Sequence, residues 1–507
     1  MPNEMPNEMS NDKPKDKPSA ATPAPADRKP TFAIIGAGMS GLLAAIKLRE
    51  AGYEFTVFEK ADRVGGTWRE NTYPGIACDV PSHLYSYSFE LNPDWNYMSS
   101  PGGDIQAYFE GISARYDLAR SIRFRDPVVR CDWQGDRWEI ESGSGFVERY
   151  AWVIAATGIL HHPKHPDIQG LEDFAGDLFH SAEWDHSVPL DGRRIGVIGN
   201  GSSGVQITGA LAPRAGRFTL FQRTAQWVVP VRQVEYDAAQ RAEFRRNPAA
   251  LQRLHDELDA SFHTGFANQV LDGNSQIFEG MRKVCNDHLD NHVADPVLRE
   301  KLRPDYTPAC KRLVVSHNFY DSIQVPQAEL VTEAVERIEA GGVRTADGKL
   351  HELDVLVLAT GFHVDAFVRP MAIRGLDGVM LDHVWKDRPS AYMSVGVRGF
   401  PNFFMINGPN SPVGNFSLIR TAEMQFEYLM KLVDHLAATG RTYLVPSADA
   451  AERFETERVE AAKQTVWATG CRSWYLDDRG IPFLWPFPFT RFTEEMEKPR
   501  FEDYSIG

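Results

Sequence analysis

Cysteine is scarce, with five in 507 residues, at positions 78, 131, 285, 310 and 471. No two of them form a CxxC, so neither a dithiol redox pair nor a zinc ribbon is expected, and such sparse use suits a reducing cytoplasm. Long apolar runs are missing too. None reaches the roughly 20 residues of a membrane span, and residues 1–30 lack the basic-then-apolar order of a secretory signal. Positive charge is in deficit, 54 Lys and Arg against 69 Asp and Glu, for a net charge of -15. A pI near 5.5 disfavours nucleic acid or an anionic membrane as the main partner, while leaving room for a local basic pocket around a phosphate.

What is present is a large apolar inventory, 43% of the chain, enough to bury cores for two or more domains. The opening, MPNEMPNEMSNDKPKDKPSAATPAPADRKP, has almost nothing to bury and reads as a disordered tail over residues 1–30. Order begins at TFAIIGAGMSGLLAAIKLREAGYEFTVFEK. An apolar strand from Thr31 to Ile35 runs into Gly36-x-Gly38-x-x-Gly41. A helical pattern follows to Glu50, then a second strand from Glu54 to Phe58 ends at Glu59. The glycines permit a tight turn, approach of backbone to a pyrophosphate and close helix–strand contact, and the helix N-terminus faces the phosphates. Glu59 can accept from an adenosine ribose hydroxyl and would repel a 2'-phosphate, so this site prefers FAD or NAD over NADP.

A second cradle starts at RRIGVIGNGSSGVQITGALA. The strand from Ile195 to Ile198 feeds Gly199-x-Gly201-x-x-Gly204, with Ser202 and Ser203 between the glycines as further cofactor-binding candidates. The next strand, Phe218 to Phe221, ends in Arg223 and Thr224 where NAD would call for an acid. A guanidinium fork and a hydroxyl suit a 2'-phosphate; the plainer reading is a solvated arginine after a strand. Two cradles imply FAD in the first and NADPH in the second. The segment GGTWRENTYPGIACDVPSHLYSYSF, with Gly66, Thr67 and Trp68 near its start, looks like a loop packed over a flat cofactor, against the alternative of an ordinary surface loop.

Two more apolar strands end in Ala-Thr-Gly, at Ala151 to Gly158 and Asp354 to Gly361, and each marks a place where the chain leaves a nucleotide domain. The expected fold is α/β, with two Rossmann-like dinucleotide-binding domains, the second inserted in the first, and a helical insertion. The boundaries are FAD-binding residues 31–160 and 366–507, NADPH-binding residues 161–234 and 306–365, and helices over 235–305, the last forming either a wall of a substrate cavity or a covering layer. Between the cradles, FAGDLFHSAEWD is too polar for a buried strand and reads as a surface connection.

That last stretch, Phe174-x-Gly176-x-x-x-His180-x-x-x-Trp184-Asp185, set between two GxGxxG motifs, resembles the class B flavoprotein monooxygenases and, within them, the type I Baeyer–Villiger monooxygenases. The likeness runs from about Thr31 to the C-terminus. It implies an NADPH- and O2-dependent enzyme that converts ketones to esters or lactones through a flavin C4a-peroxide. It places Asp79 and Arg312 as catalytic residues and Lys311 as the nicotinamide-phosphate lysine. His180 falls in a linker that couples nicotinamide-domain movement to the flavin, and Gly408 to Ser417 at a flavin-side loop. Without the resemblance, Lys311-Arg312 would be a solvated basic pair opening a strand.

Partners are then a small ketone and dioxygen, with no nucleic acid, membrane or metal. The alternatives are a sister N/S-monooxygenase making sulfoxides or hydroxylamines and, more remotely, a non-enzymatic flavin-binding redox partner. A disulfide reductase would need a redox cysteine pair close in sequence. The aromatic stretch TGCRSWYLDDRGIPFLWPFPFTRFTEEM either lines an apolar cavity or packs into the core.

Overall fold

The computed structural model describes residues 29–507 except 267, 269, 270, 273–275, 472 and 478. The expected tail, apart from Lys29 and Pro30, lies outside the described residues. Two five-stranded parallel sheets carry the architecture. The first runs, in spatial order, Phe403–Met405, Trp152–Ala155, Thr31–Ile35, Glu54–Phe58 and Ile122–Arg123. The second runs Ala328–Val331, Arg217–Phe221, Arg194–Ile198, Val355–Leu358 and Asp177–His180. Helix Met39–Glu50 follows strand Thr31–Ile35, and helix Ser202–Leu211 follows strand Arg194–Ile198. Central strands such as Val355–Leu358 are buried on both faces, which is why they read as unbroken apolar runs rather than alternating ones.

All strands of the second sheet fall, in chain order, between Trp152–Ala155 and Phe403–Met405 of the first. The second unit is therefore inserted into the first. Its two connections run side by side: Lys164 N–H donates to the Gly361 carbonyl (2.8 Å) and His363 N–H to that of His162 (2.9 Å). An antiparallel meander, Val128–Trp133, Trp138–Ser142 and Val147–Tyr150, flanks the first sheet. Helices Ala238–Arg246, Pro248–Ala260, Ile277–His292 and Pro296–Lys301 make up the helical insertion. In Ile277–His292, the buried residues Phe278, Cys285 and Leu289 recur at helical spacing and form its inward stripe.

One expectation is corrected here. The stretch read as a surface connection contains a strand, Asp177–His180, paired with Val355–Leu358 at the edge of the second sheet. Phe179 and His180 are buried within it. Four residues are too few for the polar-apolar alternation to register, and the pairing partner lies far away in sequence.

Candidate active site

The two cradles close by the same device. Gly36 and Gly199 take φ of +103° and +105°, a region that only glycine enters freely. A Cβ on Gly36 would lie 2.6 Å from the Ala156 carbonyl oxygen, and one on Gly199 would collide with that of Ala359. These are the alanines of the two Ala-Thr-Gly strand ends, so each strand exit forms the floor of one cradle. Gly41 and Gly204 have no room for a Cβ against the carbonyls of Gly36 and Gly199. Both helices start at a glycine, Gly38 or Gly201, with no side-chain cap. Their first-turn N–H groups remain available to phosphate oxygens. The residues present therefore fit two dinucleotides.

The cradles differ in what surrounds them. In the first, Gly38 packs against Gly66 and the Gly65 N–H donates to the Ala37 carbonyl (3.0 Å). Thr67 and Trp68 open a short helix there, and the Trp68 indole N–H donates to the Tyr85 hydroxyl (3.1 Å). Glu59 is buried. It accepts from the Ala37 N–H (2.8 Å), the Ala61 N–H (2.9 Å) and Arg69 (2.9 Å), so it also holds the glycine loop in shape. In the second cradle a Cβ on Gly201 would meet nothing within 4 Å. Arg223 is exposed and Thr224 half-buried at its rim. The Thr224 carbonyl accepts from Asn200 (2.9 Å). Lys311 lies over the Tyr306 ring, 4.4 Å from its centre. Burial, and then the neighbouring Arg223, lower the Lys311 pKa. Two cations drawn together at a cradle rim suit a dianionic phosphate.

Asp79 and Arg312 meet bidentately. Arg312 Nε donates to Asp79 Oδ2 at 3.0 Å, and Nη2 to Oδ1 and Oδ2 at 2.8 and 2.6 Å. Their side chains are 39% and 25% exposed, so the pair lies in an open cleft and not in a sealed core. The Asp79 carboxylate raises the Arg312 pKa, against desolvation, which keeps the guanidinium charged at every working pH. Lys311 and Arg312 are adjacent, and they turn to opposite sides. Lys311 lies by Arg223 of the second cradle, and Arg312 holds Asp79 of the loop that follows the first.

Residues not singled out from sequence complete the junction. The Tyr73 hydroxyl donates to Gln206 (2.9 Å) and accepts from Ser203 (3.1 Å), while Gln206 donates to the Ala77 carbonyl (3.0 Å). The helix at the second cradle is thus tied to the loop carrying Asp79. Cys310 and Cys471 form a disulfide across 161 residues. The pairing joins cysteines far apart in sequence and is no CxxC; a disulfide removes the support that sparse cysteine usage gave to a reducing cytoplasm. Cys78, Cys131 and Cys285 are free and buried.

The 174–185 stretch lies at the edge of the second sheet. Gly176 has no room for a Cβ against the Asp354 carbonyl and the Phe174 ring. Trp184 packs edge-on to Phe179 at 4.8 Å. Asp185 caps its own turn through the Ser187 N–H (2.8 Å). His180 is fully buried; its Nδ1 accepts from the Ala182 N–H (3.1 Å), and its ring lies 5.8 Å from that of Phe362 on the returning connection. Among the described residues, no helix is long and apolar enough to cross a membrane.

The flavin-binding monooxygenase-like family profile matches residues 29–252. A Baeyer–Villiger monooxygenase of Streptomyces coelicolor is 38% identical over 94% of this chain and 92% of its own. The chain belongs to the Baeyer–Villiger monooxygenases. An uncharacterized monooxygenase of Mycobacterium tuberculosis is 47% identical over 94% of this chain and 96% of its own. In three dimensions, cyclohexanone monooxygenase from Rhodococcus bound to NADP+ superposes with a TM-score of 0.84 at 28% identity, covering 94% of this chain and 99% of that one. A Baeyer–Villiger monooxygenase needs both a flavin and a nicotinamide nucleotide, and the two cradles supply one site for each.

Proposed function

We propose that the Asp79–Arg312 pair is the oxygenation centre of this Baeyer–Villiger monooxygenase, which takes a ketone to an ester or lactone with NADPH and dioxygen. The observation that carries the proposal is the bidentate ion pair, set between a loop following one cradle and a strand entrance beside the other. When bound, FAD supplies the hydride acceptor and the atom at which dioxygen is activated, and NADPH supplies the hydride.

The chain's own residues do the rest. Gly36, Gly38 and Gly41 admit the FAD pyrophosphate, and Glu59 receives its ribose. Arg223, Thr224 and Lys311 select the 2'-phosphate of NADPH, as a carboxylate at that rim would not. Asp79 occupies Nε and Nη2 of Arg312, and Nη1 makes no hydrogen bond among the described residues. That edge is left to hold the oxygen that turns negative when a carbonyl carbon is attacked. A fixed cation is most effective there because it needs no reorganisation as charge develops. Protonation chemistry is excluded at Arg312, so its contribution is electrostatic.

The test is Arg312→Ala with NADPH, ketones and thioethers, on protein checked for flavin content and melting temperature. Reduction of the flavin by NADPH continues, and ester formation falls by roughly 100-fold or more, the scale set by loss of one stabiliser of a developing anion. Near-normal ester formation by a folded variant removes Arg312 from the role. A sulfoxide without ester from the wild-type protein moves the chemistry to sulfur oxygenation.

A further inference from the structure

Tyr475 is 1% exposed, and its hydroxyl has no hydrogen-bond partner among the described residues. A buried phenol without a partner is destabilising unless something else accepts from it. Its position says where that acceptor lies. Cys471, four residues upstream, is bonded to Cys310, two residues before Arg312. On its other side, a Cβ added to Gly414 would lie 3.3 Å from the Tyr475 hydroxyl oxygen. The segment carrying Tyr475 is thus tied to the Arg312 loop, and the phenol itself abuts the Gly408–Ser417 loop, with Arg312 and Asp79 the charged groups near enough to act on it. Its backbone is fixed as well. The Phe483 N–H donates to the Tyr475 carbonyl (3.0 Å), and Asp477 accepts from Ile481 N–H (2.9 Å), Arg479 N–H (3.0 Å) and Arg388 (3.0 Å).

We propose that Tyr475 is a second hydrogen-bond donor of the oxygenation site, giving its O–H to the carbonyl oxygen of the ketone opposite Arg312, and that the Cys310–Cys471 bond positions it. The inference rests on the Baeyer–Villiger reading of the same site. When oxygen adds to the carbonyl carbon, the C=O π pair moves onto the carbonyl oxygen. Arg312 and Tyr475 then hold that oxygen from two directions, as paired donors do in other oxyanion sites. The pair returns to re-form C=O as the migrating carbon leaves the carbonyl carbon for the newly added oxygen and the O–O bond breaks, its electron pair departing with the oxygen distal to the carbonyl carbon, which is protonated to water. Tyr475 keeps its proton throughout: burial, offset in part by Arg312, pushes its pKa up to about 12, so it donates without ionising.

Tyr475→Phe removes one oxygen atom and leaves the ring. Holoenzyme carrying this change is compared with wild type for melting temperature, anaerobic flavin reduction by NADPH, kcat and KM for a ketone, and ester formed per NADPH consumed. The melting temperature holds or rises, because an unpaired hydroxyl has gone. Flavin reduction stays within about twofold, and ketone kcat falls on the order of 10- to 100-fold, with hydrogen peroxide replacing the missing ester. Cys471→Ser, which keeps the phenol and frees its segment, shows a smaller loss of the same kind. Unchanged ester per NADPH in Tyr475→Phe overturns the proposal. So does slower flavin reduction with unchanged ketone turnover, which would assign the hydroxyl to the coenzyme, and so does a lower melting temperature with activity lost in proportion, which would make it structural. If the wild type itself makes no ester, the underlying reading fails. If the wild type makes ester and Tyr475→Phe matches it, only this inference fails.

Discussion

A methyl group added to Gly38 would lie 3.4 Å from Gly66, whereas one added to Gly201 would meet nothing within 4 Å. That difference separates two cradles which otherwise share their turn, their floor and their uncapped helix. The first is closed over by the Gly65–Phe89 segment and anchored by a buried carboxylate with three donors. The second is open, with two cations at its rim: an exposed arginine and a half-buried lysine resting on an aromatic ring. A cofactor that stays through every turnover is served by the first arrangement. A coenzyme that must enter, deliver hydride and be exchanged is served by the second.

The largest effect should come from breaking the shared turn where it is packed. Gly36→Ala forces a side chain into a positive-φ position against the Ala156 carbonyl, so the protein is expected to lose FAD and melt several degrees lower. Gly201→Ala should keep its melting temperature and its yellow colour and lose only NADPH affinity, by roughly tenfold, since the added methyl meets coenzyme and not protein. Flavin absorbance and coenzyme titration of the two variants distinguish these outcomes. Equal effects on flavin content would show that the cradles are not finished differently.

An effect smaller than the loss of FAD is expected at the rim. Arg223→Ala should narrow the preference for NADPH over NADH by roughly 10- to 100-fold, the contribution of one charge-assisted contact to phosphate, with FAD binding unaffected. Rates of flavin reduction with both coenzymes measure it directly. An unchanged ratio would leave Lys311 as the selector and Arg223 as a surface residue.

The smallest effect belongs to the seam joining the two units. Burial, and then His165, lower His180 to about 4; burial, and then His162, lower His161 to about 4, against an ordinary 6.5. Below pH 6.5 the unfolded chain takes up protons at these rings that the folded protein refuses. Stability is therefore complete above 6.5 and declines as pH falls toward 4. Melting temperatures of the holoenzyme at pH 7 and pH 5 should differ by a few degrees in that direction. His180→Asn should flatten the slope, and a melting temperature independent of pH over this range would contradict the assignment.

The cradles were legible from sequence because their chemistry is local. Thr31–Ile35 and Glu54–Phe58 begin and end where the apolar runs do. In the second unit the strands start one residue earlier than the apolar pattern suggests, at Arg194 and Arg217. Arg194 pairs with Asp354 (2.6 Å) and Arg217 with Glu329 (2.6 Å) across the sheet, so charged residues extend strands that hydrophobicity alone would end. Four features depend on partners far along the chain: the Asp177–His180 strand, the Cys310–Cys471 bond, the Tyr73–Gln206 contact and the enclosed Tyr475 hydroxyl. No local periodicity encodes them. Asp79 and Arg312 were reached through family resemblance, since neither has a neighbourhood in sequence that marks it for catalysis, and the structure adds the geometry that brings them together.

The most direct test of the account follows the oxygen. The wild-type holoenzyme is given NADPH, a panel of linear, cyclic and aromatic ketones and isotopically labelled dioxygen, with products read by mass spectrometry. The expected product is an ester or lactone that carries a single labelled oxygen, with NADPH consumed in step with its formation. Ester without label, or coenzyme oxidised with hydrogen peroxide as the sole product across the whole panel, would contradict it.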